Sequence, residues 1–354
     1  MEFKRFLDIT DFSREGLREA LNLMSYIKEN RNAYAAALEK RTVAMVFGEN
    51  ARNSEAFFKC AVTRMGGMSF DFRLSEGETF KDAAAVLSAC SDIIVMNHPK
   101  KGAARAMSLY AGVPVVNAGD GGRAFPVQTL ADFATVWAEK KHVSNMKIGF
   151  LGDFSNNALV RNLLQCLNLY NGNEFYFVSV NGKPLSDEYT KIMDKRDKAY
   201  SVYDNLFDVL PELDLLYMTK VEKSSFDSEI MYEARKHNFI LDERLMMTAK
   251  PDLVVMHAFP KGEEIDSYVD GLPNAGYYSQ MDYTVDACTA ILLKLVMNRA
   301  GRLITPSYEE KTHDAFCGAE DCITSTEKYL PPLFHETADG SLICKYCGRV
   351  INKE

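Results

Sequence analysis

Four cysteines near the end of the 354-residue chain form its most specific chemical pattern. Cys317 and Cys322 form a C-x4-C pair, and Cys344 and Cys347 form a C-x2-C pair in the sequence Cys-Lys-Tyr-Cys-Gly. Four thiolates in two close pairs suit tetrahedral Zn²⁺, and a site closed by four cysteines has no open position for a substrate. The pattern therefore predicts structural zinc, with two disulfides as the alternative.

The other cysteines favour the metal over disulfides. Cys60, Cys90, Cys166 and Cys288 lie singly in apolar stretches, as reduced core cysteines do. A segment of roughly 40 residues cannot bury much core, and metal binding would supply roughly 10–16 kcal/mol of its folding free energy. We therefore expect a Zn²⁺ ion with a structural role, in a linker and module at 301–354.

The composition is that of a globular protein, since 47% of the residues are hydrophobic and 25% are charged. The formal net charge of −8 argues against nucleic acid or an anionic membrane as the main partner. No apolar run approaches the roughly 20 residues of a membrane-spanning helix, and the N-terminus lacks the apolar core of a signal peptide. We expect a cytoplasmic protein.

Short apolar strands alternate with amphipathic helices before the module. The predicted strands are 42–47, 68–72, 92–96, 113–117, 146–151, 175–180, 213–218 and 252–257. The main predicted helices are 10–30, 55–65, 80–89, 103–109, 127–140 and 284–299. This alternation predicts the α/β class, with two doubly wound parallel-sheet domains at 1–140 and 141–300. The helix 284–299 is expected to pack back on the first domain.

Several loops resemble those of one enzyme family. They are Asn97-His98-Pro99, Asn117-Ala-Gly-Asp-Gly121 with Gln128, Gly152-Asp153, Leu216–Val221, and Met256-His257 with Pro260. Their order and spacing are similar to those of the aspartate and ornithine carbamoyltransferases, closest to the catalytic chain of the aspartate enzyme. The cysteine segment resembles the zinc domain of that enzyme's separate regulatory chain. The resemblance implies that the two domains face a cleft, the first binding carbamoyl phosphate and the second the amino acid.

The resemblance assigns the phosphate of the donor to the start of a helix. The family has Ser-Thr-Arg-Thr-Arg there, where the helix dipole and backbone N–H groups hold an anion. This chain keeps Arg52 in that stretch, with asparagines at Asn50 and Asn53 as donors. The resemblance therefore implies a catalytic role for Arg52 and substrate binding by the two asparagines.

Three further positions are assigned by the same resemblance. Asn97 and His98 stand where the family has Arg-His, and they are expected to bind substrate. His98 is also typical of a structural residue at the end of a strand. Gln128 matches a glutamine that contacts the carbamoyl group and would be catalytic, although a position on the surface of a helix is an equal alternative.

Several cationic or donating positions of the family are replaced. Phe125 stands in the place of a histidine, Glu76 in the place of a lysine supplied by a neighbouring subunit, and Ala158 in the place of an arginine. Lys220 and Lys261 stand where arginines bind the amino acid, so they keep the charge but lose the bidentate fork. Each lost charge-assisted contact is worth about 1.5–3 kcal/mol, so a weaker or altered reaction is expected.

The sequence thus supports two kinds of function. The first is a carbamoyltransferase that acts on aspartate or another amine. The alternative is a catalytically inactive paralogue that serves as an oligomeric scaffold, a regulatory partner of authentic carbamoyltransferase subunits, or a sensor of a small anion. The family implies a homotrimer or a higher homo-oligomer. No nucleotide-effector site is expected, because the regulatory chain's nucleotide domain has no room between Arg299 and Cys317.

Overall fold

The computed structural model describes residues 5–155, 157–297, 312–337 and 340–351. The chain divides into two compact units, one formed by Met1–Val127 with Val285–Glu354 and the other by Gln128–Thr284. Both divisions fall inside helices, at 127/128 and at 284/285, so these two helices each have residues in both units. The domain limits predicted at 140 and 300 stay predictions, and the linker expected at 301–311 lies outside the described residues.

The first unit is built on a five-stranded parallel sheet in the order β1-β5-β4-β2-β3. The strands are β1 Arg5–Phe6, β2 Thr42–Val46, β3 Met68–Asp71, β4 Ile93–His98 and β5 Val115–Asp120. β2, β4 and β5 lie inside the sheet and are almost entirely buried, because their β-branched and apolar side chains face helices on both sides. The carboxyl ends of these parallel strands share one edge, where open α/β sheets bind ligands.

Four helices of the first unit connect these strands. They are α1 Arg14–Glu29, α2 Arg52–Arg64, α3 Phe80–Cys90 and α4 Ala103–Tyr110. The start of α2 differs from the prediction: a short 3-10 turn at Glu49–Ala51 leads directly into the helix, which begins three residues before the predicted Glu55. Much of the loop predicted at 48–54 is therefore helical, and Arg52 is the first residue of α2.

The second unit has its own five-stranded parallel sheet, in the order β10-β9-β6-β7-β8. The strands are β6 Lys147–Gly152, β7 Glu174–Ser179, β8 Tyr200–Tyr203, β9 Leu215–Met218 and β10 Val254–His257. The helices are α5 Pro126–Lys140, α6 Ala158–Leu167, α7 Asp187–Asp194, α8 Glu229–Arg235, α9 Glu243–Met246 and α10 Tyr277–Met297, with α5 and α10 shared with the first unit. The α/β class and the two parallel sheets predicted from the sequence are confirmed.

The cysteine segment adds a three-stranded antiparallel sheet to the first unit. Its strands are β11 Phe334–Glu336, β12 Leu342–Cys344 and β13 Val350–Ile351. Apolar side chains of this module, including Ile323, Leu333 and Phe334, belong to the same buried cluster as the apolar residues of α3 and α4. The module therefore shares a core with the first unit of its own chain. Among the described helices, none combines the length and the apolar character that a bilayer crossing requires.

Candidate functional site

The four cysteines of the module converge on one point. The Sγ atoms of Cys317, Cys322, Cys344 and Cys347 all lie within 4.8 Å of one another. The Cys317–Cys347 and Cys322–Cys344 Sγ pairs are 3.5 and 4.0 Å apart. A tetrahedral Zn²⁺ with Zn–S bonds of about 2.3 Å holds its sulfurs about 3.8 Å apart, whereas a disulfide bond is about 2.05 Å long. The cluster therefore has the dimensions of a metal site and can hold a metal ion.

Local backbone structure positions the two cysteine pairs. Cys322 precedes a 3-10 turn at Ile323–Ser325, and the Thr324 hydroxyl donates to its sulfur over 3.2 Å. Behind the second pair, Gly348 has a φ of +81° and donates its backbone N–H to the Cys344 carbonyl over 2.8 Å. A side chain would strain that left-handed conformation, so the glycine allows the tight knuckle that brings the second pair of sulfurs together.

The loop that carries Cys322 is hydrogen-bonded to the loop before α4. Lys101 donates its backbone N–H to the Asp321 carbonyl, and its own carbonyl accepts from Ile323, both over 2.9 Å. Beside this bridge, the backbone of Tyr346 lies directly against Gly102, whose φ is +84°. A Cβ atom at Gly102 would lie 2.5 Å from the Cβ of Tyr346, so only glycine allows this approach.

The module also covers the start of α3. The backbone N–H of Phe80 donates to the Glu327 carboxylate over 3.4 Å, and that of Lys81 donates to the Tyr329 hydroxyl over 3.3 Å. A carboxylate at a helix N-terminus interacts favourably with the helix dipole. These contacts lie within the first unit, so the structure places the module on its own chain's domain.

Arg52 lies at the carboxyl ends of β2 and β3. It lines a cavity of 240 Å³ whose lining also includes Arg73, Glu49, Glu55 and Asp71. The side chain of Arg52 is exposed, and within the described ranges it forms no hydrogen bond or ion pair. An unpaired guanidinium in a cavity at the start of a helix is suited to binding an anion.

The other residues predicted to bind the donor have different surroundings. Asn53 is exposed beside Arg52, and the side chain of Asn50 lies outside the described part. Asn97 donates its amide Nδ2 to the Ala118 carbonyl over 3.2 Å, and the hydroxyl of Ser54 donates to the same carbonyl over 3.3 Å. These two bonds join the first turn of α2 to the ends of β4 and β5.

The side chain of His98 is fixed by contacts at the end of β4. Its Nδ1 accepts the backbone N–H of Lys100 over 3.1 Å, and its ring packs edge-on against Phe80 with centroids 5.3 Å apart. Burial lowers the pKa of His98, so the imidazole is favoured in its neutral form. His98 does not line the cavity that contains Arg52, and its contacts are those of a structural residue.

In the second unit, Gln128 belongs to a buried hydrogen-bonded cluster around Asp132. The amides of Gln128 and Gln280 donate to Asp132 Oδ1 over 2.7 and 2.6 Å, and the Tyr217 hydroxyl donates to Oδ2 over 2.8 Å. Burial raises the pKa of Asp132 to about 6 despite these three donors. Because its Nε2 is committed to Asp132, Gln128 is left with its Oε1 as the atom that can accept a bond.

Sequence reasoning missed Asp132, although a signal was present. Asp132 lies four residues after Gln128 on one face of an otherwise apolar helix, and side chains at that spacing are neighbours. A carboxylate on the apolar face of a helix needs donors nearby, and the first donor was already identified as Gln128.

The two lysines predicted to bind the amino acid are both paired with carboxylates of their own unit. Lys220 Nζ lies 2.6 Å from Glu222 Oε1. Lys261 forms an ion pair with Asp270, and its Nζ also lies 4.7 Å from the centroid of the Tyr277 ring. The structure therefore does not present either lysine as an unpaired cation.

Comparison with known proteins extends over both units. Residues 4–138 match the family model described as aspartate/ornithine carbamoyltransferase, carbamoyl-P binding domain. Residues 144–295 match the model described as aspartate/ornithine carbamoyltransferase, Asp/Orn binding domain. The matches end before the cysteine module, so the module is an addition to the part of the chain that these models describe.

Individual relatives agree with the family models. The chain is 33% identical over 302 residues to an aspartate carbamoyltransferase catalytic subunit of Clostridium novyi, covering 84% of this chain and 99% of that protein. It superposes on the catalytic subunit of M. jannaschii aspartate transcarbamoylase with a TM-score of 0.80 and 31% identity, covering 84% of this chain and all of the other. The Trypanosoma cruzi aspartate transcarbamoylase solved with carbamoyl phosphate gives a TM-score of 0.77, 26% identity, and coverage of 83% and 96%.

The contact between Gly102 and Tyr346 predicts the outcome of a substitution. Gly102→Ala places a Cβ 2.5 Å from the Cβ and 2.6 Å from the carbonyl oxygen of Tyr346 at a positive φ, so we expect a loss of about 2–4 kcal/mol of stability. Gly122→Ala is the matched control, because Gly122 has a φ of +74° with open space around its Cβ position. Calorimetric unfolding and limited proteolysis of the module measure the difference. Equal losses in the two variants would contradict the contact.

The raised pKa of Asp132 predicts a pH dependence of stability. An acid with a folded-state pKa of about 6, against an ordinary value of 3.8, stabilises the fold below the ordinary value and loses that contribution as pH rises through 6. In the Asp132→Asn variant, the new amide can keep the same partners, accepting from both glutamines and donating to Tyr217. The unfolding free energy of Asp132→Asn minus that of the wild type should therefore rise by about 2 kcal/mol between pH 4 and 7.

Denaturant unfolding measures this difference in unfolding free energy between Asp132→Asn and the wild type. It can be followed by the fluorescence of Trp137, which is the one tryptophan of the chain and lies in α5. Asp120, whose pKa burial also raises to about 6, is present in both proteins and cancels. Asp208→Asn, at an exposed carboxylate of the same unit, is the control and should give a flat difference. A flat profile for Asp132→Asn as well would refute the assignment.

Proposed function

Because the chain belongs to the aspartate/ornithine carbamoyltransferase family, we propose that it transfers a carbamoyl group from carbamoyl phosphate to the amino group of aspartate or another amine. The observation that carries this proposal is the unpaired Arg52 at the start of α2, in the unit that matches the carbamoyl-phosphate domain.

Binding of the donor phosphate would use the start of α2. The helix is 13 residues long and no side chain caps its N-terminus, so the positive end of its dipole would favour a bound anion. Arg52 adds a guanidinium that matches the geometry of phosphate oxygens. The same groups would stabilise the phosphate as it leaves, which is the part of the reaction where positioned charge contributes most.

Gln128 would orient the carbamoyl group. Its Nε2 is fixed by the Asp132 carboxylate, so its Oε1 would accept a hydrogen bond from the carbamoyl nitrogen. Asp132 is in turn held by Gln280 and Tyr217, and a buried group with several partners has little rotational freedom. Asp132 is therefore proposed as a positioning residue that acts through Gln128.

A second candidate function is favoured by the ion pairs in the amino-acid unit. Aspartate offers two carboxylates, yet Lys220 and Lys261 are already neutralised by Glu222 and Asp270. Binding aspartate through these lysines would require breaking both pairs. We therefore expect weak use of aspartate, and the alternative is a non-catalytic paralogue that acts as a scaffold, a regulatory partner or an anion sensor.

The module would contribute structure and no chemistry. We propose that its four cysteines hold one Zn²⁺, because their sulfur separations fit tetrahedral coordination and all four positions are filled by protein. A trimeric or higher homo-oligomeric assembly and a cytoplasmic location are proposed from the family resemblance and from the reduced cysteines, respectively.

An activity measurement tests the proposed transfer. Purified protein incubated with carbamoyl phosphate and a panel of amino acids and other amines should form a ureido product. Arg52→Gln should lower the rate by about 10²–10³-fold, because it removes a charge that stabilises the transition state. Arg64→Gln, at an exposed arginine at the other end of α2, should leave the rate unchanged.

The absence of ureido product for every amine, from protein that is folded and still binds phosphate, would reject the transferase. The non-catalytic paralogue would then be the function that remains. A product whose rate is unaffected by Arg52→Gln would instead reject the role given to Arg52.

Metal analysis tests the zinc proposal. We expect one zinc per chain by mass spectrometry, and Cys344→Ser should lower the metal content and the stability of the module because one of four ligands is lost. Cys90→Ser changes an exposed cysteine outside the cluster and should retain the metal. Purified protein without a stoichiometric metal, or with fewer than eight titratable thiols after denaturation and chelation, would count against the site.

A further inference from the structure

We propose that Arg73 is a second anion-binding residue, which holds a phosphate group together with Arg52. Both side chains line the same cavity of 240 Å³, and both belong to the first unit. Sequence patterns alone assigned no role to Arg73. The proposal rests on the proposed function, because it identifies the phosphate of the donor as the group that occupies this cavity.

Topology explains why these two arginines meet. β2, α2 and β3 form one βαβ unit, with β2 and β3 paired in parallel. The carboxyl ends of the two strands therefore lie at the same edge, and the N-terminus of α2 starts from that edge. Arg52 begins α2, and Arg73 lies two residues beyond the end of β3. The crossover brings together two side chains that are far apart in sequence.

Neither arginine of the cavity is paired with one of its carboxylates, so both can bind an anion. Lys59 pairs with Glu55 at 2.6 Å and with Asp71 at 2.7 Å, so two of the acidic groups of the cavity already have a cationic partner. Arg52 and Arg73 are exposed, and the described residues give neither of them a hydrogen bond or an ion pair. Glu49 is the remaining carboxylate of the lining. With Lys59 counted, three cations face three carboxylates, so the formal charges around the cavity balance. The two arginines are the cations that have no partner among the described residues, and they lie beside the positive end of α2.

This combination selects a particular class of ligand. Two guanidinium groups offer planar forks that match phosphate oxygens, and the helix N-terminus adds N–H donors to the same region. A phosphate monoanion or dianion, free or as an acyl phosphate, has the charge and the acceptors to use both. Arg73 would also supply a positive charge to a chain that has Glu76, and not a lysine, in the loop after β3.

Titration with inorganic phosphate tests the role of Arg73 in the full-length protein. Calorimetric titration at constant low ionic strength should show binding to the wild type. Arg73→Gln should weaken the affinity by about 10- to 100-fold, the effect of losing a charge-assisted contact. Arg73→Lys should lose less, since it keeps the charge without the fork. Arg64→Gln, at the far end of α2, should change the affinity less than about twofold.

A variant that is expected to raise the affinity for phosphate makes the test specific to this cavity. Glu49→Gln removes a negative charge from the lining, so phosphate affinity should rise by about threefold. Thermal unfolding and circular dichroism establish that each variant is folded. Absence of phosphate binding to the wild type, or equal binding by wild type and Arg73→Gln, overturns the proposal.

The result separates this proposal from the proposed function. Arg73-dependent phosphate binding without any ureido product would sustain the anion site and reject the transferase. Ureido product formed at the same rate, and with the same dependence on carbamoyl phosphate concentration, by wild type and Arg73→Gln would sustain the transferase and reject the role of Arg73.

Discussion

A cation binds a substrate anion most readily if the protein does not already neutralise it, and this constraint distinguishes the two units. At the carboxyl edge of the first sheet, Lys59 pairs with two carboxylates of the cavity, while Arg52 has no partner among the described residues. In the second unit, Lys220 and Lys261 each have a carboxylate partner. An exposed ion pair is worth about 0–1 kcal/mol, so these pairs can open. A ligand must nevertheless compete for them, whereas the anion site proposed in the first unit has an arginine that no described residue neutralises. The proposed function therefore has stronger support for binding of the phosphate donor than for binding of aspartate.

The cysteine module depends on the first unit for its apolar core, in addition to the Zn²⁺ proposed for its cysteines. Its strands are only two or three residues long, and such strands cannot form an independent core. Its apolar side chains are instead buried in the cluster that contains α3 and α4. The approach of Tyr346 to Gly102 and the backbone bridge at Lys101 fix the module on that surface. Because the proposed Zn²⁺ and the domain would stabilise the same segment, loss of either should loosen the contacts made with the start of α3.

The sequence was informative where structure depends on local pattern. Alternating apolar strands and helices predicted both parallel sheets, and the spacing of four cysteines predicted the cluster. It failed for short elements with a weak apolar pattern and for side-chain pairs whose positions depend on the paths of loops. α7 and β8 were missed because they are short and mostly exposed, so they lack a strong apolar pattern. The pairing of Lys261 with Asp270 and the shared cavity of Arg52 with Arg73 follow from loop paths that single-sequence patterns do not specify. Family resemblance identified which positions had changed, but it could not show which new neighbours the changed side chains acquired.

Asp132 connects the electrostatics of the second unit to the orientation of Gln128. An ionised carboxylate can only accept hydrogen bonds, so it holds the Nε2 of Gln128 and leaves Oε1 free. A protonated carboxyl can donate, and it would then satisfy an amide oxygen as readily as an amide nitrogen. Because burial raises the pKa of Asp132 to about 6, the change from the accepting carboxylate to the donating carboxyl falls close to neutral pH. In the proposed role of Gln128, the direction in which it presents its amide would thus depend on the protonation of Asp132. Burial costs stability when Asp132 is ionised, and the same burial moves the pKa of this carboxyl towards neutral pH.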